Sequence, residues 1–145
     1  MPNQKQAVLL LFINPDNGQE VLSVSRKDDH AKLGLPGGKV ENDETLINGL
    51  CREFKEEVGI SLDPNCIEFL FQDWDTDYDT LTYVYSGSLV LPELPFINSE
   101  GAKVEFTPAG RLIDPAHSPF SEYNLKMFNK FISDLDFISF QKNSQ

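Results

Sequence analysis

The order of patterns along the chain predicts an α+β domain, and three observations carry that expectation. Strand-like runs come first, at Val8–Ile13 and Glu20–Ser25. A helical segment follows, with Ile47, Leu50, Cys51, Phe54 and Val58 spaced to make one apolar face. Further strand-like runs then lead to a last helical pattern in Leu125, Phe128, Phe131, Ile132 and Leu135. Strands, helix, strands, helix is the order of a layered α+β fold. With 145 residues, 40% hydrophobic and 24% charged, the chain has the size and composition of one globular domain over residues 1–145. Its polar end, residues 137–145, is expected to fray. No repeat, low-complexity tract or interdomain linker is present in the sequence.

Local chemistry supports each element in turn. Val8–Ile13 reads as a central strand. Asn14-Pro15-Asp16-Asn17-Gly18 is dense in turn formers, so Glu20–Ser25 reads as the return strand of a hairpin. Arg26-Lys27-Asp28-Asp29-His30 is a polar loop leading to a tight turn at Pro36-Gly37-Gly38. In the helix that follows, Asn42 or Asp43 can cap the start, acidic residues suit the first turn, and Gly59 supplies the stop. Cys66–Gln72 and Leu81–Val90 read as strands, Leu91–Gly101 as a proline-containing loop, and Val104–Phe106 as a short strand ended by Thr107-Pro108. Ser121 is placed to cap the final helix. The acids of Asp73–Asp79 alternate as in a calcium loop, but that template needs Gly where Tyr78 stands and Glu where Val84 stands. The run reads as a solvated loop between strands.

The most informative stretch is Gly38–Ile60, GKVENDETLINGLCREFKEEVGI. Glu53 and Glu57 are like charges four residues apart, an arrangement that destabilises a helix by a few tenths of a kcal/mol. At roughly 100° per residue Glu53, Glu56 and Glu57 share one arc while Leu50 and Phe54 point elsewhere. A helix that crowds carboxylates in this way has a use for a cation. Glycines at 37 and 38 let backbone carbonyls approach the same place. Hard oxygen donors with room for water and phosphate describe a Mg2+ site, with Mn2+ as the substitute.

This segment resembles the signature of the Nudix hydrolase family, G-x5-E-x7-R-E-U-x-E-E-x-G-U, where U is a bulky apolar residue. Gly38, Glu44, Arg52, Glu53, Glu56, Glu57, Gly59 and Ile60 fall in register with it, and Phe54 replaces an aliphatic residue. The resemblance implies an α/β/α sandwich with a mixed sheet. It also implies a Mg2+-dependent pyrophosphohydrolase acting on a nucleoside diphosphate linked to another group. Glu53, Glu56 and Arg52 would stand at the catalytic centre, with Glu53 the choice for general base. Glu53, Glu56 and Glu57 would be metal ligands, completed by a carbonyl of Gly37 or Gly38, while Arg52 and Glu44 orient the carboxylates. A further acidic ligand would come from Glu105, or else Glu100. Likeness to the MutT members points to Arg26, Lys27 and His30 as substrate contacts and to Asn124 as a base-reading residue. A nucleoside triphosphate, oxidised purines included, is the first substrate choice, giving a nucleoside monophosphate and pyrophosphate. Dinucleoside polyphosphates, for which Tyr78 is the cue, and nucleotide sugars come next. A catalytically silent nucleotide sensor, or an interaction module that keeps its metal site for stability, is the rival from another class.

Bulk properties set limits on partners. A net charge of −11 argues against nucleic-acid polymers, whose backbones call for basic surface. The same charge repels a polyphosphate, so divalent cation is expected to be required. The apolar run Ala7–Ile13 is too short to span a membrane and lacks the basic flank and cleavage site of a signal peptide. Cys51 and Cys66 have no metal-ligand spacing, and Cys51 belongs to an apolar helix face. The expected protein is cytoplasmic, monomer or homodimer, with a small-molecule nucleotide as its partner.

Overall fold

The computed structural model describes residues 5–132. In chain order the elements are β1 (Gln6–Leu10), β2 (Glu20–Ser25), β3 (Leu33–Gly34), β4 (Gly37–Lys39), α1 (Leu46–Val58), β5 (Ile67–Asp75), β6 (Thr80–Gly87), β7 (Phe96–Ile97), β8 (Lys103–Pro108), α2 (Ala109–Leu112) and α3 (Ser121–Phe131), with a single 3-10 turn at Pro64–Cys66. They form two compact units. The first takes residues up to Phe12 and Leu35–Glu93; the second takes Ile13–Gly34 and the chain from Leu94. The class is α+β, as expected.

The first unit holds a mixed sheet in the order β4-β1-β6-β5. β1 runs antiparallel to β4 and parallel to β6, and β5 lies antiparallel to β6. α1 packs on β1 and β4. Val8 and Leu10 of β1, Val84 of β6, and Leu50, Phe54 and Val58 of α1 are buried. The second unit holds an antiparallel sheet in the order β3-β2-β8-β7. α2 packs on β3, β8 and α3. Val21, Leu22, Val104, Leu112, Met127 and Phe128 are fully enclosed.

Several expectations are corrected. β1 ends at Leu10, and Ile13 makes only an isolated bridge to Val21. The Asn14–Glu20 turn forms, with the Asn14 N–H donating to the Glu20 carbonyl at 2.9 Å. Its flanks are nevertheless not a β1–β2 hairpin, because the two strands belong to different sheets. Turn chemistry is local, whereas the parallel partner of β1 lies some seventy-five residues away in sequence at Leu81–Tyr85. Pro36-Gly37-Gly38 is not a tight turn: Gly37 and Gly38 are strand residues opposite Leu9 and Val8. Thr107-Pro108 belongs to β8 and pairs with Val21 and Glu20. Asp73 to Asp75 belong to β5, with Asp75 buried, so only residues 76–79 of the acidic run are turn.

Helix starts also differ. Thr45, not Asn42 or Asp43, caps α1, its hydroxyl accepting from the Asn48 N–H at 3.1 Å. No acid stands in the first turn, because Glu44 lies just outside the helix. Gly59 ends α1 in the left-handed region (φ 83°), as expected. Ser121 is the first helical residue of α3 and not its cap, a position held by Phe120 without a side-chain bond. The buried face of α3 is Ser121, Tyr123, Asn124, Met127 and Phe128, so Leu125 and Phe131 lie at its margin. Leu135 and the 137–145 tail fall outside the described residues.

Two glycines with positive φ face opposite surroundings. A Cβ on Gly37 (φ 143°) would collide with the Val8 carbonyl across the β1–β4 pair, whereas a Cβ on Gly59 would meet open space. Gly59→Ala should cost about 1 kcal/mol, the left-handed penalty alone. Gly37→Ala should cost about 3 kcal/mol or more and lower the melting temperature by roughly 10 °C. Thermal unfolding followed by circular dichroism checks this, and equal losses in the two variants would contradict the β1–β4 register.

Candidate active site

The site grows from one side chain on α1. Arg52 donates from Nε to Glu44 Oε2 at 3.1 Å and from Nη2 to Glu44 Oε1 at 2.7 Å, a two-pronged pairing. Its Nη2 also reaches the Lys39 carbonyl at 3.0 Å. Nη1 donates to Glu53 Oε1 at 3.0 Å and to Glu56 Oε1 at 3.3 Å. One guanidinium therefore ties the segment before α1 to the helix and orients two of its carboxylates. The pairing with Glu44 is reciprocal in its electrostatics. The Arg52 hydrogen bond holds the Glu44 carboxyl below its usual range, helped by the Glu41 N–H. Glu44, ahead of Glu53 and Glu56, raises the affinity of Arg52 for its proton.

Two of the box carboxylates, Glu53 and Glu57, reach the glycines. The Gly37 N–H donates to Glu57 Oε1 at 2.8 Å. A Cβ on Gly38 would lie 2.6 Å from Glu53 Cδ, inside the volume the carboxylate occupies. Gly37 thus contributes an N–H donor, and Gly38 contributes space. Glu53 and Glu57 converge on this glycine pair, while Glu56 is half exposed. The helical arc brings the three acids to one side, and Arg52 spans Glu53 and Glu56. Among the described residues no group of three or more His, Cys, Asp or Glu side chains could hold a metal ion by themselves. The donor set nonetheless suits a hard cation that keeps several waters: carboxylate oxygens beside backbone with no side chain in between. In such a site Glu53 and Glu57 would be the inner acids, with Glu56 at the rim.

The remaining candidates lie in the second unit. Glu105 on β8 is half-buried and pairs with Lys103 at 3.2 Å. Glu100 is exposed in the Asn98–Gly101 turn, its N–H bonded to Asn98 Oδ1 at 2.9 Å. Arg26 is exposed and pairs through Nε with Asp28 at 3.3 Å, which lowers the Asp28 pKa. Lys27 is exposed, with its Cβ and carbonyl on the side of Gly101. His30 Nε2 lies 2.9 Å from the Gly101 carbonyl. Asn124 is enclosed, 1% exposed, and its Nδ2 donates to the Leu112 carbonyl at 2.9 Å. That bond fastens the end of α2, and Oδ1 is left without a partner. Tyr78, in the first unit, is exposed in the β5–β6 turn.

Sequence reasoning missed a pocket of about 460 Å³ in this unit, lined by Arg26, Asp28, Asp29, Lys32, Pro115 and Pro119. The signal for its far wall was present as Asp114-Pro115 and Ser118-Pro119, two turn-forming dipeptides that bracket His117. Cys51 is half-buried with its Sγ 3.8 Å from the Leu62 carbonyl, and burial pushes its thiol pKa up, in keeping with a core role. No helix of the described residues is long and apolar enough to cross a membrane.

Comparison with known proteins agrees with this architecture. A MutT/nudix family protein from Enterococcus faecalis is 27% identical over 74% of this chain, with a TM-score of 0.58; this chain spans 45% of its length. A MutT structure from work on Aliivibrio salmonicida and Vibrio cholerae is 22% identical, covers 90% of this chain and 98% of its own, and has a TM-score of 0.62. An ADP-ribose pyrophosphatase from Streptococcus suis is 22% identical over 74% of this chain and 75% of its own, with a TM-score of 0.51. No curated protein matches the chain. The family model for the NUDIX domain matches residues 3–128, which spans most of each compact unit and all of the Arg52 network. The chain belongs to the Nudix hydrolase family.

Proposed function

We propose that the protein is a Mg2+-dependent pyrophosphohydrolase, with Mn2+ able to substitute. Its substrate is a nucleoside diphosphate linked to another moiety, a nucleoside triphosphate in the first place. The observation that carries this reading is the convergence of Glu53 and Glu57 on Gly37 and Gly38, with Arg52 fixing Glu53 and Glu56. Glu53, Glu56 and Glu57 are the residues that would hold the cation, with a backbone carbonyl of Gly37 or Gly38 as a further donor. Bound there, a divalent ion supplies charge neutralisation on phosphate oxygens and a more acidic water. Glu53 is the proposed general base: it takes a proton as the water oxygen bonds to phosphorus and the bridging oxygen leaves with its electron pair. Glu44 and Arg52 hold that base in place. The assignment of Glu105 as an additional ligand rests on its motif resemblance alone.

Substrate contacts are proposed for Arg26, Lys27 and His30, which immediately precede the segment leading into the box. Asn124 is left out of that set: its enclosure and its bond to Leu112 support a bracing role for α2. The likeness to an ADP-ribose pyrophosphatase supports a small nucleotide substrate. The family match over both units supports a single functional domain. Two free cysteines favour a reducing, cytoplasmic setting, and a monomer or homodimer is the proposed state.

With Mg2+ present, the purified protein should hydrolyse at least one of a panel of nucleoside triphosphates, dinucleoside polyphosphates and nucleotide sugars, with products identified by mass. Glu57→Gln keeps an acceptor for the Gly37 N–H, so its melting temperature should stay near that of the parent. Its kcat should fall about 100-fold or more, roughly 2.7 kcal/mol of transition-state stabilisation. Full activity in this variant would refute the metal role. A null panel would favour the non-catalytic sensor.

The Glu44–Arg52 pair sets an acid response. Because the folded Glu44 carboxyl titrates below its ordinary range, its stabilising contribution is fully present above that range. It is lost as pH falls toward the lowered value. Unfolding of wild type and Glu44→Gln measured across pH should therefore show a constant stability gap from neutrality down to about pH 5, closing below about pH 4. A gap that widens in acid would contradict the pairing.

A further inference from the structure

Residues 26–34 are fastened to a second loop of the same unit. Lys32 Nζ donates to the Ala116 carbonyl at 2.7 Å, and the Leu33 N–H donates to the His117 carbonyl at 2.7 Å. His117 Nδ1 lies 3.3 Å from the Ala31 carbonyl, a donating arrangement for the Nδ1–H tautomer. The receiving loop is stiff in its own right. Asp114 Oδ1 accepts the Ala116 N–H at 2.9 Å, and the Asp114 carbonyl accepts the N–H groups of His117 and Ser118, each at 2.9 Å. The loop that carries Arg26 is folded on itself too, with the Arg26 N–H on the Lys32 carbonyl at 2.9 Å and the Lys32 N–H on the Asp29 carbonyl at 3.1 Å.

The 460 Å³ pocket lies between these two loops, with Arg26, Asp28, Asp29 and Lys32 on one wall and Pro115 and Pro119 on the other. Its width is therefore set by whatever joins the walls. Lys32 is the strongest side-chain tie, since its charged donor meets a carbonyl at short range. That bond takes one of the three ammonium donors and turns the side chain to the Ala116 carbonyl, so the clamp acts on a ligand through the loop it holds. We propose that Lys32 and His117 are positioning residues: they clamp the Arg26–Lys32 loop to the Asp114–Pro119 loop and so fix the pocket in which the substrate is held. The proposal rests on the reading that the Arg26 loop meets the substrate. Ordering that loop at folding removes the cost of ordering it at binding. Release of the clamp should weaken substrate binding and leave the chemical step alone.

The test uses Lys32→Met, which keeps the stem and removes the donor, and Lys32→Arg, which restores a donor. Amide hydrogen exchange over residues 26–34 is read together with kinetics on the best nucleotide of the panel. In Lys32→Met the amides of Arg26, Lys32 and Leu33 should exchange faster. KM should rise about tenfold with kcat within twofold of the parent, and Lys32→Arg should bring both readouts back. Unchanged exchange overturns the clamp. So does faster exchange with an unaltered KM, or a joint fall of kcat and melting temperature that Arg does not rescue. If the wild type hydrolyses nothing in the panel, the functional reading fails by itself and exchange alone decides: faster exchange rescued by Arg upholds the clamp, and unchanged exchange ends it.

Discussion

The site depends on a single guanidinium. Arg52 has five N–H donors, and Glu44, Glu53, Glu56 and the Lys39 carbonyl take five bonds from it. It resolves the problem of an acidic helix face by supplying the cation that separates the carboxylates while holding them in place. Lysine cannot make that arrangement, because an ammonium lacks the planar fork that grips Glu44 on two sides. An arginine with its donors already spent has none to offer a phosphate. Charge on a substrate must be met from elsewhere, and in the proposed function a divalent cation and the loop beginning at Arg26 meet it.

The glycine pair does the complementary work of exclusion. Gly37 brings backbone close enough for its N–H to reach Glu57, and its own conformation is demanded by the Val8 carbonyl on the neighbouring strand. Gly38 yields its side-chain volume to Glu53. Sheet register, helix phase and site geometry are thus one constraint, since β4 must pair with β1 for the two glycines to meet the two acids. The pairing of a positive-φ residue with a strand edge is uncommon, and here it is explained by what lies opposite.

What the sequence made legible follows from how local each signal is. The box could be read because its residues lie on one helix and one flanking segment, where spacing alone fixes which side chains share a face. Gly59 as a stop and Glu20–Ser25 as a strand were readable for the same reason. Pairing was not: the β1 pattern says nothing of a parallel partner at Leu81–Tyr85, and the Asn14–Gly18 turn signal suggested a hairpin that the sheets do not contain. The cap of α1 was misplaced because Asn42, Asp43 and Thr45 are all capping types, and only the hydroxyl geometry of Thr45 separates them. The enclosure of Asn124 and its bond to the Leu112 carbonyl were not legible, because the likeness to the MutT members speaks of residue type and says nothing of burial. Lys32 and His117 escaped notice because each acts through a backbone carbonyl of a segment some eighty residues away.

Gly38 has a consequence for how such a site can change over time. The acids and the arginine of the cluster each have a near relative that keeps part of their chemistry: aspartate for glutamate, lysine for arginine. No residue is smaller than glycine, so position 38 has no such neighbour. A lineage can retune the acids by small steps, or trade one carboxylate for another, but it cannot approach a change at this position gradually. The smallest step available places a methyl group where Glu53 now stands. Whatever such a site comes to act upon, its diversity must arise around that vacancy and not within it.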